Sequence, residues 1–519
     1  IFRARRMLCG VQITVEQFEE LNARNQSLGA EVKTLKDEIK FLNDKVKYLL
    51  KQLFGAKSEK IDPNQLTLLF DAQAQLAAAE EAAEGAAEVA PARRRAKRRP
   101  LAARLPDDLP VETVVIEPEE VLADPEAYKK IGEETMMELD LVPARFFKRL
   151  IVRPKYVKLA DRRLPPIVAP APKRIIENSF ASAGLLTAVL LGKYADHLPL
   201  YRQEQIFQSR HGVGISRKTM CDWVWSLAHQ LAMIYESLRD EIRTSGYLQA
   251  DETPVPFQDP GNGKCGTGYL WTYRAAGRGV LFEWYPSRAS DCLAKMLSKF
   301  QGQLQSDGYA AYEGFYHKPK HQHLRAQVEL AGCWAHARRK FFEAREESLL
   351  AVQALADIQQ LYRIEADLRE QEADAALRLA TRQRDSLPVL AKIEKDLRAA
   401  AAQYLPKSLT SKAIFYALDQ WERLQVYTRH GHMEIDNNLV ENAIRPTAVG
   451  KKNWLFFGSE EAGQTSAIIY SLLESCRMLD INPQEYLLDV LPRLPTMTNQ
   501  TAPLYTPAEW LTARTATVR

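Results

Sequence analysis

The sequence predicts a multidomain α+β protein: an N-terminal parallel coiled coil, a small β-rich module, a helix-turn-helix region, and a mixed-sheet core interrupted by a helical insertion. Three observations predict it. Leucines recur at every seventh position near the start, five strand-like runs separated by glycine-containing turns lie within residues 247–345, and residues 341–430 carry helical periodicity throughout. The chain has 519 residues, 46% of them hydrophobic, which is enough for several cores and excludes a wholly disordered polymer. With 70 Lys and Arg against 66 Asp and Glu, the formal net charge is only +4, so any nucleic-acid surface must come from local clustering. Six scattered cysteines without a C-x-x-C pair argue against a disulfide framework or a four-cysteine zinc site and fit a reducing cytosol. The longest apolar run, near residues 183–191, falls short of the ~20 residues that span a bilayer, and residues 7–15 are too short and polar for a signal peptide. The expected location is cytoplasmic, with no membrane partner.

Residues 16–54 form the zipper. Leu21, Leu28, Leu35, Leu42 and Leu49 occupy d, while Val32, Ile39 and Val46 stand at a, a combination that favours a parallel dimer. Asn25, at another a position, fixes the register. Residues 55–110 read as an Ala/Glu-rich and basic linker ending in "RRRAKRRP", a block of like charge that stays solvated and can touch phosphates. Residues 111–175 carry short β-branched runs between prolines, the mark of a small β-rich module. In residues 176–245 two helical stretches flank "HGVG". Ser216 is a suitable N-cap for the second, whose opening Ser216-Arg217-Lys218 would meet the major groove if the pair is a helix-turn-helix.

The core begins at residues 246–340, breaks for the helical insertion at 341–430, resumes at 431–465, and is followed by a helical segment and tail at 466–519. Asp251 and Asp307 are expected at strand ends, where a rigid element projects a carboxylate into the crevice beside the sheet. An aspartate capping its own turn is the plainer alternative for each. In "IDNNLVENAIRP", read as a helix, Asn438, Glu441, Asn442 and Arg445 share a polar stripe, and Leu439, Val440, Ala443 and Ile444 an apolar one. Here the plainer alternatives are an Asn438–Glu441 capping box and a Glu441–Arg445 surface pair. Two aspartates and a glutamate together, however, can hold two Mg²⁺ ions, hard cations that prefer oxygen ligands.

In order, "LFGAKSEK", "YADHLPLYRQEQIF", "ADETP", "QSDGYAAY", "GCWAHARRKFFE", "IDNNLVENAIRPTAVGKKNWLFFGS" and "AIIYSLLESCRMLDINPQEYLLDVL" resemble the transposases of the bacterial insertion sequence 66 family over residues 16–492. The resemblance implies a ribonuclease-H-like core with Asp251, Asp307 and Glu441 as catalytic metal ligands. Two Mg²⁺ ions, for which Mn²⁺ would substitute, would serve strand cleavage at the element's ends and strand transfer into target DNA. It also implies that His336, in the C-x-x-H pattern Cys333 to His336, faces the active site, and makes Arg338, Arg339, Arg445, Lys451 and Lys452 candidates for holding phosphates. Further implied partners are transposon-end and target DNA, a homodimer or higher oligomer through the zipper, and small accessory proteins of the same element, with the protein nucleoid-associated when bound to DNA. Relatives carry a cysteine-rich zinc module where this chain reads "VLADPEAYKKIGEE" and "RPKYVKLADRR", without a cysteine. A site built from Cys333, His336, His317, His321 and His323 lacks a second thiol, so no zinc is expected. The rival readings are a domesticated DNA-binding protein or repressor without activity, and a junction-cutting nuclease.

Overall fold

The structure is a computed structural model that describes residue 24 and residues 145–156, 167–259, 263–308, 312, 314–315 and 318–517. The leucine seam from Leu21 to Leu49 and the basic block at residues 93–100 lie outside the described residues. The chain divides into two compact units, Gln73–Val152 and the remainder. In the first, the described residues have no regular structure and expose Phe147, Leu150, Ile151 and Val152. Everything below belongs to the second. A two-residue antiparallel pair, β1 (Lys155–Tyr156) with β2 (Ile167–Val168), lies within the stretch expected to be a small β-rich module.

Helices α1 (Ala183–Tyr194), α2 (Leu200–His211) and α3 (Arg217–Arg243) lead into the core. Gly212 ends α2 in the left-handed conformation, and the Ser216 hydroxyl caps α3 by accepting from the Thr219 N–H. Apolar residues on α3 recur at helical spacing from Met220 through Trp223, Leu227, Leu231 and Ile234 to Leu238, all buried. The long helix is thus anchored along one stripe while its first turn stays exposed.

Five strands follow: β3 (Tyr247–Asp259), β4 (Lys264–Ala275), β5 (Gly279–Tyr285), β6 (Gly302–Gln305) and β7 (Val328–Ala331). Their order is β5-β4-β3-β6-β7, an antiparallel meander continued by two parallel strands, as expected for a mixed sheet. Helix α4 (Ser290–Leu297) crosses from β5 to β6 and α5 (Trp334–Ala344) follows β7. Only glycine fits at Gly302, where φ is 137° and a Cβ would lie 1.8 Å from the Gly246 carbonyl oxygen.

Asp251 does not end its strand. Pairing of β3 with β6 stops at Gln249↔Gln305, but pairing with β4 runs on through Asp251↔Thr272 to Asp259↔Lys264. The apolar run ends at Ala250, yet the ladder continues because the hairpin partner supplies hydrogen bonds regardless of side-chain polarity. Past Gln249 that edge of β3 no longer pairs with β6, so Pro254 and Pro256, which have no N–H to give, are tolerated. Their carbonyls accept from Lys451 Nζ and the Phe457 N–H, both at 2.9 Å.

Between α5 and residue 430 lie α6 (Leu349–Glu370), α7 (Ala375–Thr381), a π-turn (Arg382–Ser386), α8 (Leu387–Ala400) and α9 (Leu409–Asp419). Then come α10 (Asn438–Trp454), α11 (Glu460–Met478), α12 (Pro483–Val490) and α13 (Pro507–Thr517). Edge strand β5 is covered by α11, whose Ser471 and Ser475 hydroxyls each accept at 2.8 Å from the Phe282 and Val280 N–H groups. No described helix is long and apolar enough to cross a membrane.

Within the helical segment, Arg382 and Glu365 are fully buried. Arg382 Nε and Nη2 donate to the two Glu365 oxygens at 2.7 Å, Nη1 to the Tyr427 and His430 carbonyls, and Nη2 also to the Met433 carbonyl. All five guanidinium N–H groups are used. Arg382→Met would leave the buried Glu365 with Arg378 alone, at 3.2 Å, and should destabilise the fold by about 3 kcal/mol. Urea unfolding measures this, and a loss below about 1 kcal/mol would show that the pair is not a fixed part of the fold.

Candidate active site

Asp251, in mid-strand, accepts from the Glu252 N–H at 2.8 Å. Asp307 follows β6 by two residues, and Glu441 lies in the first turn of α10. Burial pushes the Asp251 carboxyl up to about 8, with help from the negative charges of Glu252, Asp307 and Glu441. Three distant segments therefore bring the expected Asp307 and Glu441 carboxylates within electrostatic range of Asp251.

His336 joins them from the first turn of α5. Its Nδ1 is 3.7 Å from Glu441 Oε1, and both atoms are buried with no hydrogen-bond partner. Among the described residues Glu441 lies against His336, and it makes no pair with Arg445. The capping box is absent too. Asn437 is the N-cap of α10 and gives no side-chain cap, while Asp436 accepts from both the N–H and the amide of Asn438 at 3.1 and 2.8 Å. A further correction concerns Leu439, expected on the apolar face but 38% exposed, because the helix buries Val440, Ile444 and Thr447 instead.

The loop before α10 is fastened from the sheet. Gln249 donates to the Asp436 carbonyl at 2.8 Å, Gln305 to the Glu434 carbonyl at 2.9 Å, and Tyr247 to Gln305 Oε1 at 2.6 Å, all three side chains being buried. From the insertion, the Tyr362 hydroxyl donates to Asp436 at 2.7 Å and Arg378 to Glu434 at 3.0 Å. These supports, rather than α10 itself, aim Glu441.

Sequence reasoning missed Glu252. Its buried carboxylate accepts from Arg288 Nε at 2.9 Å and the Tyr312 hydroxyl at 3.0 Å. Burial raises its pKa most, then Asp307, against the opposing pull of Arg288. The adjacent acids of "ADETP" were a visible signal, but its partners come from residues far along the chain.

Cys333, His336 and Glu441 are a group of the described residues whose ligand atoms all lie within 4.8 Å of one another; the Asp251, Asp307 and Glu441 oxygens do not meet that spacing together. Burial pushes the Cys333 thiol well up, and its sulfur accepts from the Asn437 N–H at 3.5 Å, so it is a poor donor to a hard cation. The oxygen donors fit a divalent pair better: ions roughly 3.5–4 Å apart spread their outer carboxylates, and Glu441 Oε1 has no competing donor.

Of the expected DNA-contacting residues, Ser216 spends its hydroxyl on capping, and Arg217 and Lys218 are exposed. Arg217 lines an open groove with Tyr201, Gln205 and Gln208 of α2. Arg339, Arg445 and Lys452 are exposed, Arg338 is half-buried, and Lys451 is held by the Pro254 carbonyl.

A carboxyl whose pKa is higher folded than unfolded binds more protons in the native state between the two values, so stability falls as pH rises through that window. For Asp251 the window runs from its ordinary value near 4 up to about 8. In metal-free buffer, Asp251→Asn should melt several degrees above the parent at pH 8 and together with it at pH 4. Equal melting temperatures at both pH values would show that folding does not raise the Asp251 pKa.

A family model described as "Transposase IS66 family" matches residues 178–465, which include all three acids and His336. One described as "Transposase C of IS166 homeodomain" matches residues 42–114, and one described as "IS66 C-terminal element" matches residues 471–502. The uncharacterized protein y4qI of Sinorhizobium fredii (strain NBRC 101917 / NGR234) is 37% identical over 393 residues, 73% of this chain and 72% of the relative. The uncharacterized protein y4jD of the same organism is 32% identical over 500 residues, 91% of this chain and 95% of the relative. With more than half its length matched by the first model, the chain belongs to the IS66 transposase family.

Proposed function

We propose that this protein binds the ends of an insertion sequence and catalyses metal-dependent strand cleavage there, followed by strand transfer into target DNA. The observation that supports this most is the convergence of Asp251, Asp307 and Glu441 from β3, the end of β6 and the start of α10, close enough to raise the Asp251 pKa together with burial. The five-stranded mixed sheet, in the order β5-β4-β3-β6-β7, supports the reading of a ribonuclease-H-like core.

In this reading the three carboxylates hold two Mg²⁺ ions, for which Mn²⁺ substitutes, and these supply charge neutralisation at the reacting phosphate and a more acidic attacking hydroxyl. The protein positions the rest. The Glu434 to Asn438 loop, tied to Gln249 and Gln305, keeps Glu441 at the sheet; Glu252 with Arg288 fixes the floor beside Asp251. His336 touches the scissile phosphate in this reading, which its 3.7 Å approach to Glu441 supports. Arg338, Arg339, Arg445, Lys451 and Lys452 hold DNA phosphates, and Arg217 and Lys218 on α3 read the element's end. The protein works as a homodimer or larger oligomer through its zipper, in the cytoplasm on nucleoid DNA, with accessory proteins of the same element as further partners. The second reading, a domesticated repressor, would have no use for a carboxylate cluster that, with burial, raises the Asp251 pKa.

Glu441→Gln keeps the size of the side chain and removes the charge. Cleavage and joining of DNA ends in Mg²⁺ should fall by orders of magnitude while DNA affinity is retained; joining at near the parental rate would overturn the reading. Arg217→Ala with Lys218→Ala should weaken binding to the element's ends in a gel-shift titration at fixed salt. Unchanged end affinity would remove α3 from the DNA interface.

A further inference from the structure

The end of α10 has a feature that neither packing nor the carboxylate cluster requires. Leu455 has φ 67° and ψ −48°, and the Phe456 N–H donates to the Trp454 carbonyl at 2.8 Å. This is a three-residue γ-turn in its rare positive-φ form, strained for any residue with a Cβ. The other described non-glycine residues with positive φ are Asn178, His197 and Asp480, types that tolerate it, and Glu372 in the left-handed region at φ 49°; Leu455 takes the γ-turn ψ of −48°.

The turn is held hard. The Leu455 N–H donates to the Lys451 carbonyl at 2.8 Å, and Phe457 exchanges hydrogen bonds with β3, donating to Pro256 at 2.9 Å and accepting from Gln258 at 2.8 Å. Trp454 stacks on Phe457 with ring centroids 4.7 Å apart, and Phe457 packs edge-on against Trp284. Yet the two side chains at the tip point outward, Leu455 62% and Phe456 38% exposed. Strain maintained by such supports and not used within the chain marks a part made for a partner.

The surroundings say which partner. Lys451 and Lys452 stand in the last turn beside the tip, and Arg445 is exposed on the same helix, a setting suited to a polyanion rather than to an apolar peptide. Glu441 begins the helix that the tip ends. At 1.5 Å per residue the two are about 20 Å apart, the length of about six base pairs at 3.4 Å each.

We infer that Leu455 and Phe456 form a wedge that enters one base step of duplex DNA, about six base pairs from the phosphate held at the carboxylates, and unstacks it. Apolar side chains inserted between base pairs, with flanking cations on the backbone, are a general means of bending DNA. The distance rests on the proposed cleavage site; the wedge itself needs no chemistry.

The test uses full-length protein and duplexes taken from the DNA that borders the coding sequence, with 2-aminopurine scanned along them in Ca²⁺ buffer. Saturating protein should brighten the probe several-fold at one step about four to eight base pairs from the cleavage position. The brightening should vanish with Leu455→Gly/Phe456→Ser, whose melting temperature should equal or exceed the parent's because glycine relieves the turn, and should survive in Phe456→Trp. No bright step with the parent, or equal brightness with the double variant, overturns the wedge. A drop in oligomeric mass of the double variant with fluorescence unchanged overturns it in favour of a contact between protein copies. Glu441→Gln should still brighten the probe, so a failure of the cleavage reading, seen as continued cutting by that variant, is separable from a failure of the wedge.

Discussion

The site depends on how one loop, residues 430–437, is fixed between two bodies of structure. On one side are Gln249 and Gln305, neighbouring amides in the two central strands, both buried. On the other is Arg382, whose guanidinium is saturated by Glu365 and three carbonyls of residues 427–433. Glu441 has no sheet neighbour of its own choosing; it goes where this loop sends α10. A helical segment that looks like an interruption of the core is thus part of what aims the third carboxylate.

That arrangement has an electrostatic cost. Burial beside the charges of Glu252, Asp307 and Glu441 opposes the ionisation of Asp251, while Glu252 is met by Arg288 and Glu441 lies against His336. The fold supplies the necessary rigidity elsewhere, in the buried meander, in α3 and α11 over the edge strand, and in the Arg382 pair. A cation that binds the other carboxylates would then find oxygens already assembled, and its binding would remove the repulsion that the metal-free fold carries.

Much of this was legible in the sequence. Five strands, the helices after the third and the fifth, the Ser216 cap and the helix over Glu441 follow from period, glycine spacing and capping chemistry. The convergence of Asp251, Asp307 and Glu441 was suggested by their placement on strands and helix and by family resemblance. What escaped was non-local. The strand at Asp251 runs on because β4 pairs with it; Asn438 is taken by Asp436 rather than by a capping box; Leu439 is exposed because the helix is rotated to bury Thr447. Likewise nothing near Glu252 in the chain announces Arg288, and nothing near Glu365 announces a carbonyl cage built by residues 427–433. Local pattern gives elements and faces, while partners across the fold require the fold.

The three-carboxylate site is tested most directly by anomalous scattering from crystals of the full chain soaked in Mn²⁺. Two peaks bounded by Asp251, Asp307 and Glu441 are expected, roughly 3.5–4 Å apart. No peak at these carboxylates, or a single ion held by Cys333, His336 and Glu441 without either aspartate, would contradict the assignment.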